Sequence, residues 1–182
     1  MQPLSALASR ILSAFRKRNQ RRLRKLNDEI IRETTLQFDQ MHFNLSVYSY
    51  VLSKIVSKPR YLRDECEQCL KRIEQAMESL IRHADSPTDD LLEKDFAELE
   101  KSISCLEEKD PRFVVDMMTK GRLKMAATFY AQGLSLGVAA ELTGLEKQEI
   151  LDYAGETMMF DRLKEEKSVH DRMKTARKLL IA

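Results

Sequence analysis

Two polar residues at the start of a short predicted helix, Lys147 and Gln148, are of types that contact the edges of DNA bases. They belong to the stretch LGVAAELTGLEKQEI, residues 136–150. A lysine ammonium donates hydrogen bonds to guanine, and a glutamine amide pairs with adenine through two hydrogen bonds. A helix-turn-helix protein presents such residues on the first turn of its second helix, which enters the major groove. The spacing therefore predicts a helix-turn-helix in which Lys147 and Gln148 contact DNA.

Five further residues of this segment are of the types that the two helices and their turn require. Ser135 is a good N-cap for the first short helix, because its hydroxyl accepts a hydrogen bond from a free backbone N–H. Ala140 is small enough to lie where the helices cross, and Gly144 adopts the positive φ of a tight turn without strain. Leu145 and Ile150 are apolar, and we expect them to fill the core between the helices.

The predicted recognition helix carries more acid than base. Lys147 is accompanied by three carboxylates, those of Glu146, Glu149 and Asp152. Each carboxylate facing DNA opposes the attraction between cations and phosphates, which dominates affinity. We therefore expect phosphate contacts from the preceding helix, through Lys120, Arg122 and Lys124. The alternative for these three cations is a solvated basic face.

The same segment resembles a known family. The stretches GLSLGVAAELTGL, residues 133–145, and EILDYAG, residues 149–155, resemble small helix-turn-helix antitoxin-like proteins of archaea and bacteria. The stretch VHDRMKTARKLL, residues 169–180, is similar to the tail of archaeal members. The resemblance covers roughly the last third of the chain. It implies a repressor that binds its own promoter and whose C-terminal segment docks on a toxin, a small PIN-domain ribonuclease.

The cysteines offer a second, weaker constellation. Cys66 and Cys69 form a CxxC pair, and Cys105 is the third and last cysteine. A structural zinc site needs four ligands, usually from two such pairs. Both members of the pair fall on an apolar stripe, so we expect core residues, with a metal or redox role as the alternative.

Nothing else in the sequence indicates catalysis. There is no phosphate-binding glycine loop, nucleophile elbow or metal-ligand pair at helical spacing. We therefore expect neither an enzyme nor a cofactor. The odd number of cysteines and the lack of a secretory signal pattern favour a reducing compartment, and we expect a cytoplasmic protein.

Charge is unevenly distributed. The formal net charge is +2, yet residues 1–26 hold eight lysines and arginines and no acid. Leu4, Leu7, Ile11 and Phe15 recur there at helical spacing, so residues 1–21 read as a basic amphipathic arm that is mobile or docked on a partner. Nucleic acid and acidic proteins are fitting partners. An organelle-targeting peptide and a helix lying on a membrane surface are the alternatives.

The elements that position these residues are predicted to be helical throughout. The chain has only five glycines and four prolines. Apolar residues keep a 3–4 spacing over residues 31–55, 62–80 and 92–106, which is typical of antiparallel helices. All five glycines fall within residues 121–155, which indicates a boundary. We expect an all-α protein with a helical bundle or long hairpin over residues 22–110 and a helix-turn-helix domain with a C-terminal helix over residues 111–182.

Two functions are consistent with this organisation. The first is a DNA-binding transcriptional regulator, possessing the antitoxin-like features above and forming a homodimer that contacts two half-sites. The second is a helical protein-interaction adaptor whose helix-turn-helix does not contact DNA. The acidic character of residues 146–152 motivates the second.

Overall fold

The computed structural model describes residues 2–84, 89–109 and 117–162, together with positions 173 and 177. Its helices, in chain order, are α1 (Leu4–Arg16), α2 (Gln20–Leu36), α3 (Gln40–Val56), α4 (Glu67–His83), α5 (Asp89–Glu108), α6 (Met117–Ala131), α7 (Leu136–Thr143), α8 (Lys147–Glu156) and α9 (Met159–Arg162). Two short 3₁₀ turns, Pro59–Leu62 and Asp64–Cys66, connect α3 to α4. The described residues contain no strand, so the all-α prediction is confirmed. Within them, none of the helices combines the length and hydrophobicity that crossing a bilayer requires.

The basic N-terminal segment is a core helix, and this corrects the expectation of an arm over residues 1–21. Leu7, Ala8, Ile11 and Phe15 are fully buried, and α1 packs against α2, α3 and α4. The apolar stripe that could have met a partner or a membrane is thus covered by the chain itself. Arg10 is bound to Glu29 of α2 at 2.8 Å, which fixes the first helix to the second.

The stripe over residues 31–55 is divided between two antiparallel helices. The second helix ends at Leu36, and the Asp39 carboxylate caps α3 by accepting a hydrogen bond from the His42 backbone N–H at 2.8 Å. The buried Asn27 amide donates to the Ser46 carbonyl at 2.8 Å and holds the two helices together. Apolar spacing continues across the break, so periodicity alone did not reveal the turn.

The fourth and fifth helices form an antiparallel hairpin that a disulfide joins. Cys69 of α4 is bonded to Cys105 of α5, with their Cα atoms 5.9 Å apart. Cys66 is a buried free thiol. Both members of the CxxC pair therefore lie in the core, as the apolar stripe predicted, but the partner of Cys69 comes from the next helix. At the other end of the hairpin, His83 pairs with Asp95 at 2.7 Å.

The sixth helix belongs to two cores at once. Met125 and Phe129 are buried in the main core, whereas Ala126 and Ala127 pack in a smaller one with α7, α8 and α9. Gly121 permits the close approach of α6 to α3, because a Cβ there would lie 2.9 Å from the Val51 Cγ2 atom. The predicted C-terminal domain thus shares its first helix with the bundle. The predicted last helix falls outside the described residues, apart from positions 173 and 177, which are helical and exposed.

Candidate nucleic-acid interface

The seventh and eighth helices are joined by a short turn whose corner is a glycine. Ser135 caps α7, its hydroxyl accepting a hydrogen bond from the Val138 N–H at 3.2 Å. Gly144 ends α7 with φ +67° and ψ +18°, in the left-handed region, and its N–H donates to the Ala140 carbonyl at 2.8 Å. An L-residue pays about 1–2 kcal/mol for this conformation, so the turn depends on glycine.

A compact apolar cluster holds the two helices against α6. Ile150 of α8 is fully buried here, and Leu145 is partly buried against the same cluster. Ala139 is the fully buried residue of α7, while Ala140 is only partly buried. Both alanines belong to this cluster, and the position of Ala140 at the crossing of α7 and α8 stays a prediction. Adjacent residues point about 100° apart on a helix, and the sequence pattern does not show which of the two alanines is fully buried.

The structure leaves Lys147 and Gln148 exposed on the first turn of α8. Gln148 is engaged within its helix, because its amide donates to the Asp152 carboxylate at 2.8 Å. The end of the Lys147 side chain lies over α7, with its Nζ atom 4.0 Å from the position that a Cβ on Gly137 would occupy. Both side chains must rotate outward to contact a base.

The acidic residues of this helix are exposed as well. Glu149 accepts a hydrogen bond from the Glu146 backbone N–H at 3.3 Å, which stabilises the start of α8. A carboxylate near a helix N-terminus also interacts favourably with the helix dipole. Glu146 and Glu149 therefore stabilise the start of α8, and Asp152 forms a hydrogen bond within the helix to Gln148.

The three cations predicted on the preceding helix are not gathered beside Lys147. Arg122 points to α5, where its guanidinium binds the Glu100 carboxylate at 3.0 Å. Lys124 lies toward α9, with its ammonium 3.3 Å from the Met159 sulfur, and Lys120 is exposed. Arg122 lies about half a turn from both lysines, so α6 cannot present all three to one strand of DNA. Phosphate contact by Arg122 stays a prediction and would compete with its ion pair to Glu100.

A contact between α8 and α3 links the two-helix segment to the bundle, and no pattern in the sequence indicates it. Burial raises the pKa of the Tyr50 phenol on α3, while a hydrogen bond with Tyr153 of α8 and the positive charge of Arg24 on α2 lower it. Lys54 lies over the Tyr50 ring, with its ammonium 5.1 Å from the ring centroid. Tyr50 and Tyr153 are 103 positions apart, and only the tertiary structure brings them together.

The described residues thus define an all-helical protein with a short two-helix module packed on a larger helical core. Among these residues, no group of three histidines, cysteines or acids has the arrangement that a metal ion needs. Comparison of the chain with protein-family models, with curated proteins and with solved structures found no match.

Proposed function

We propose that this protein is a DNA-binding transcriptional regulator in which α7 and α8 form a helix-turn-helix and α8 is the recognition helix. The observation that carries the proposal is the left-handed Gly144 between two short helices, with Ile150 buried beneath them and Lys147 and Gln148 exposed. This is the arrangement in which a helix can enter the major groove with its first turn leading.

Base contact would replace contacts within the protein. The Gln148 amide would release the Asp152 carboxylate and form hydrogen bonds with N6 and N7 of adenine. The Lys147 side chain would leave its position over α7 and donate hydrogen bonds to guanine. Leu151 is exposed one turn later and offers an apolar contact for a thymine methyl group. Sequence preference would therefore come from residues 147–151.

The proposal extends to assembly and partners. A homodimer would place two recognition helices on half-sites about 34 Å apart, one turn of DNA. The resemblance to antitoxin-like proteins implies a protein partner as well, a small ribonuclease that the C-terminal segment would bind. Light scattering on the purified protein tests the dimer, and a mass corresponding to one chain would contradict it.

Selection from a random duplex library tests base reading directly. We expect the wild-type protein to enrich a sequence motif and the Lys147→Ala/Gln148→Ala variant to lose it. The matched control is Gln68→Ala/Lys94→Ala, which removes the same two residue types from exposed positions on α4 and α5. Absence of any enriched motif, or the same motif from the α8 variant, would contradict the proposal.

A protein-interaction adaptor is the second candidate, and exposed apolar side chains favour it. Four large apolar residues are exposed on α7, α8, α9 and the turn between the last two: Val138, Leu151, Met158 and Phe160. Exposed apolar side chains with acids nearby in the sequence are of the types that a protein partner covers. This candidate predicts that a defined protein co-purifies with the chain even after nuclease treatment and at high salt. The Leu151→Glu variant should abolish this co-purification. Loss of the partner on nuclease treatment would contradict it.

A further inference from the structure

The corner between the first two helices carries a cluster of exposed cations, which we call the basic corner. Its members are Lys17, Arg18, Arg21, Arg22, Arg24 and Lys25. No acid occurs in the first 27 positions of the chain, and none of the six forms an ion pair with a described residue. This end of α1 and the start of α2 therefore carry charge of one sign, with Arg22 and Arg24 about half a turn apart on α2.

The acidic residues around the basic corner either form ion pairs with other arginines or lie among a larger number of cations. Glu74 and Glu78 of α4 both bind Arg16, and Glu29 binds Arg10. Asp28 faces Arg24 together with Arg32 and Lys124, so it is one acid among three cations. The local charge remains strongly positive.

The backbone beneath the basic corner is fixed. The Asn19 side chain caps α2 by accepting a hydrogen bond from the Arg22 N–H at 2.9 Å. Leu23 and Leu26, on the opposite side of α2, are fully buried. Lys25 follows Arg22 by three residues and Arg21 by four, so the three side chains lie near one another on the exposed side of the helix. Their charges are thus positioned before any partner arrives.

Like charges also crowd together at the edge of this surface. Burial and the neighbouring charge of Arg24 both lower the pKa of Lys54 on α3. Holding these two cations close together costs free energy in the isolated protein. An anion beside them would relieve that repulsion, so the arrangement favours a polyanionic partner.

We propose that the basic corner is a sequence-independent site for the phosphate backbone of duplex DNA. Phosphate binding at this corner does not require that α8 contact bases. An anionic membrane fits less well, because surface helices bind bilayers by inserting an apolar face. The apolar faces of α1 and α2 are buried in the core, and the exposed large apolar residues of the described chain begin only at Leu36.

One residue of the basic corner and one residue of the proposed recognition helix act on the same side chain. Tyr153 of α8 is hydrogen-bonded to Tyr50, and the charge of Arg24 is felt there as well. A duplex held by the corner would therefore lie within reach of the module. A recognition helix with a single cation is then sufficient, because the basic corner supplies the positive charge that holds the DNA.

The salt dependence of binding to a random-sequence duplex tests the proposal on the full chain. The variant is Arg21→Gln/Arg22→Gln/Lys25→Gln, and the matched control is Arg63→Gln/Arg72→Gln/Arg82→Gln, three exposed arginines outside the basic corner. Each lost phosphate contact reduces the slope of log K against log salt by about 0.9. We expect the variant to lower the slope by about 2–3 and the affinity about tenfold or more, with little change in the control.

Three results would overturn the proposal: an unchanged slope in the variant, an equal loss in the control, or binding to phosphatidylserine vesicles in place of DNA. Thermal unfolding by circular dichroism checks that both triple variants are folded. If the triple variant is unfolded, Arg21→Gln alone should still lower the slope by about one contact. Base reading is judged by loss of the enriched motif in the Lys147→Ala/Gln148→Ala variant, and this site by loss of slope in the triple variant, so failure of base reading and failure of this site are distinguishable.

Discussion

Two glycines of the two-helix module should respond in opposite ways to replacement by alanine. Gly144 has a φ of +67°, whereas Gly155 lies within α8 with open space where a Cβ would be. We expect Gly144→Ala to lower the free energy of unfolding by about 1–2 kcal/mol, because alanine is strained in the left-handed region. Gly155→Ala should raise it by up to about 1 kcal/mol, because alanine favours helix. Urea unfolding measures both, and equal effects would contradict the turn geometry.

Asp39 combines a helix cap with a hydrogen bond to the His42 ring. Burial by itself raises the pKa of Asp39, but hydrogen bonds from the His42 ring and backbone outweigh it and hold the pKa below the ordinary 3.8. A carboxylate with a lowered native pKa stabilises the fold above its ordinary pKa, and this stabilisation is lost as the pH falls through the native value.

Replacement of Asp39 should therefore have a pH-dependent effect. We expect Asp39→Ala to cost about 1–2 kcal/mol at neutral pH, through the lost cap and its charge-assisted hydrogen bonds. The difference from wild type should shrink as the pH falls below about 4. Urea unfolding between pH 2.5 and 7 checks this, with the exposed Glu98→Gln as control. A difference independent of pH would show that Asp39 acts only through shape.

Local chemistry made some of these residues predictable from the sequence. A capping serine and a left-handed glycine are dictated by their immediate neighbours, and the structure places Ser135 and Gly144 in those positions. The contacts of Tyr153 with Tyr50 and of Arg122 with Glu100 join distant segments, and no local pattern encodes them. Residue-scale prediction therefore works where the determining contacts are within a few positions.

At the scale of elements, the first helix is the largest departure from expectation. Its amphipathic pattern is present in the sequence, but a pattern does not reveal what covers the apolar face. Here α4, α3 and α2 cover it. The helices over residues 31–55 show the same limitation, since one continuous stripe is folded back on itself at residues 37–39.

Substitution in α1 distinguishes a core helix from an arm. Leu7 is fully buried, and Ser13 on the same helix is exposed. We expect Leu7→Ala to lower the free energy of unfolding by about 2–5 kcal/mol, because it removes packing and leaves a cavity. Ser13→Ala should change it by less than about 0.5 kcal/mol. An equally small effect at both positions, measured by urea unfolding, would mean that α1 is detached in solution.

At the scale of the whole molecule, α6 and the Tyr50–Tyr153 contact connect the bundle to the two-helix module. The basic corner and α8 consequently have a fixed relation to one another. Neither the composition nor the positions of the glycines predicted this continuity, because the cores merge through long-range packing. The boundary predicted near residue 111 therefore does not separate two independent cores, because α6 contributes residues to both.

The disulfide between α4 and α5 should contribute to the stability of the whole chain. It closes a loop between positions 36 apart. Loops of this length give about 2–4 kcal/mol by restricting the unfolded chain. We expect a reductant to lower the unfolding free energy of the wild type by this amount and to leave Cys69→Ser/Cys105→Ser unaffected. A reductant without effect on the wild type would show that the two thiols are not bonded in solution.

Contact between α8 and DNA bases is open to measurement by NMR, through the backbone amide chemical shifts with and without duplex DNA at low salt. The duplex would carry the motif enriched in the library selection. We predict the largest shift changes at residues 146–152, accompanied by changes at the basic corner. Changes confined to the basic corner, with residues 146–152 unaffected, would contradict base reading by α8.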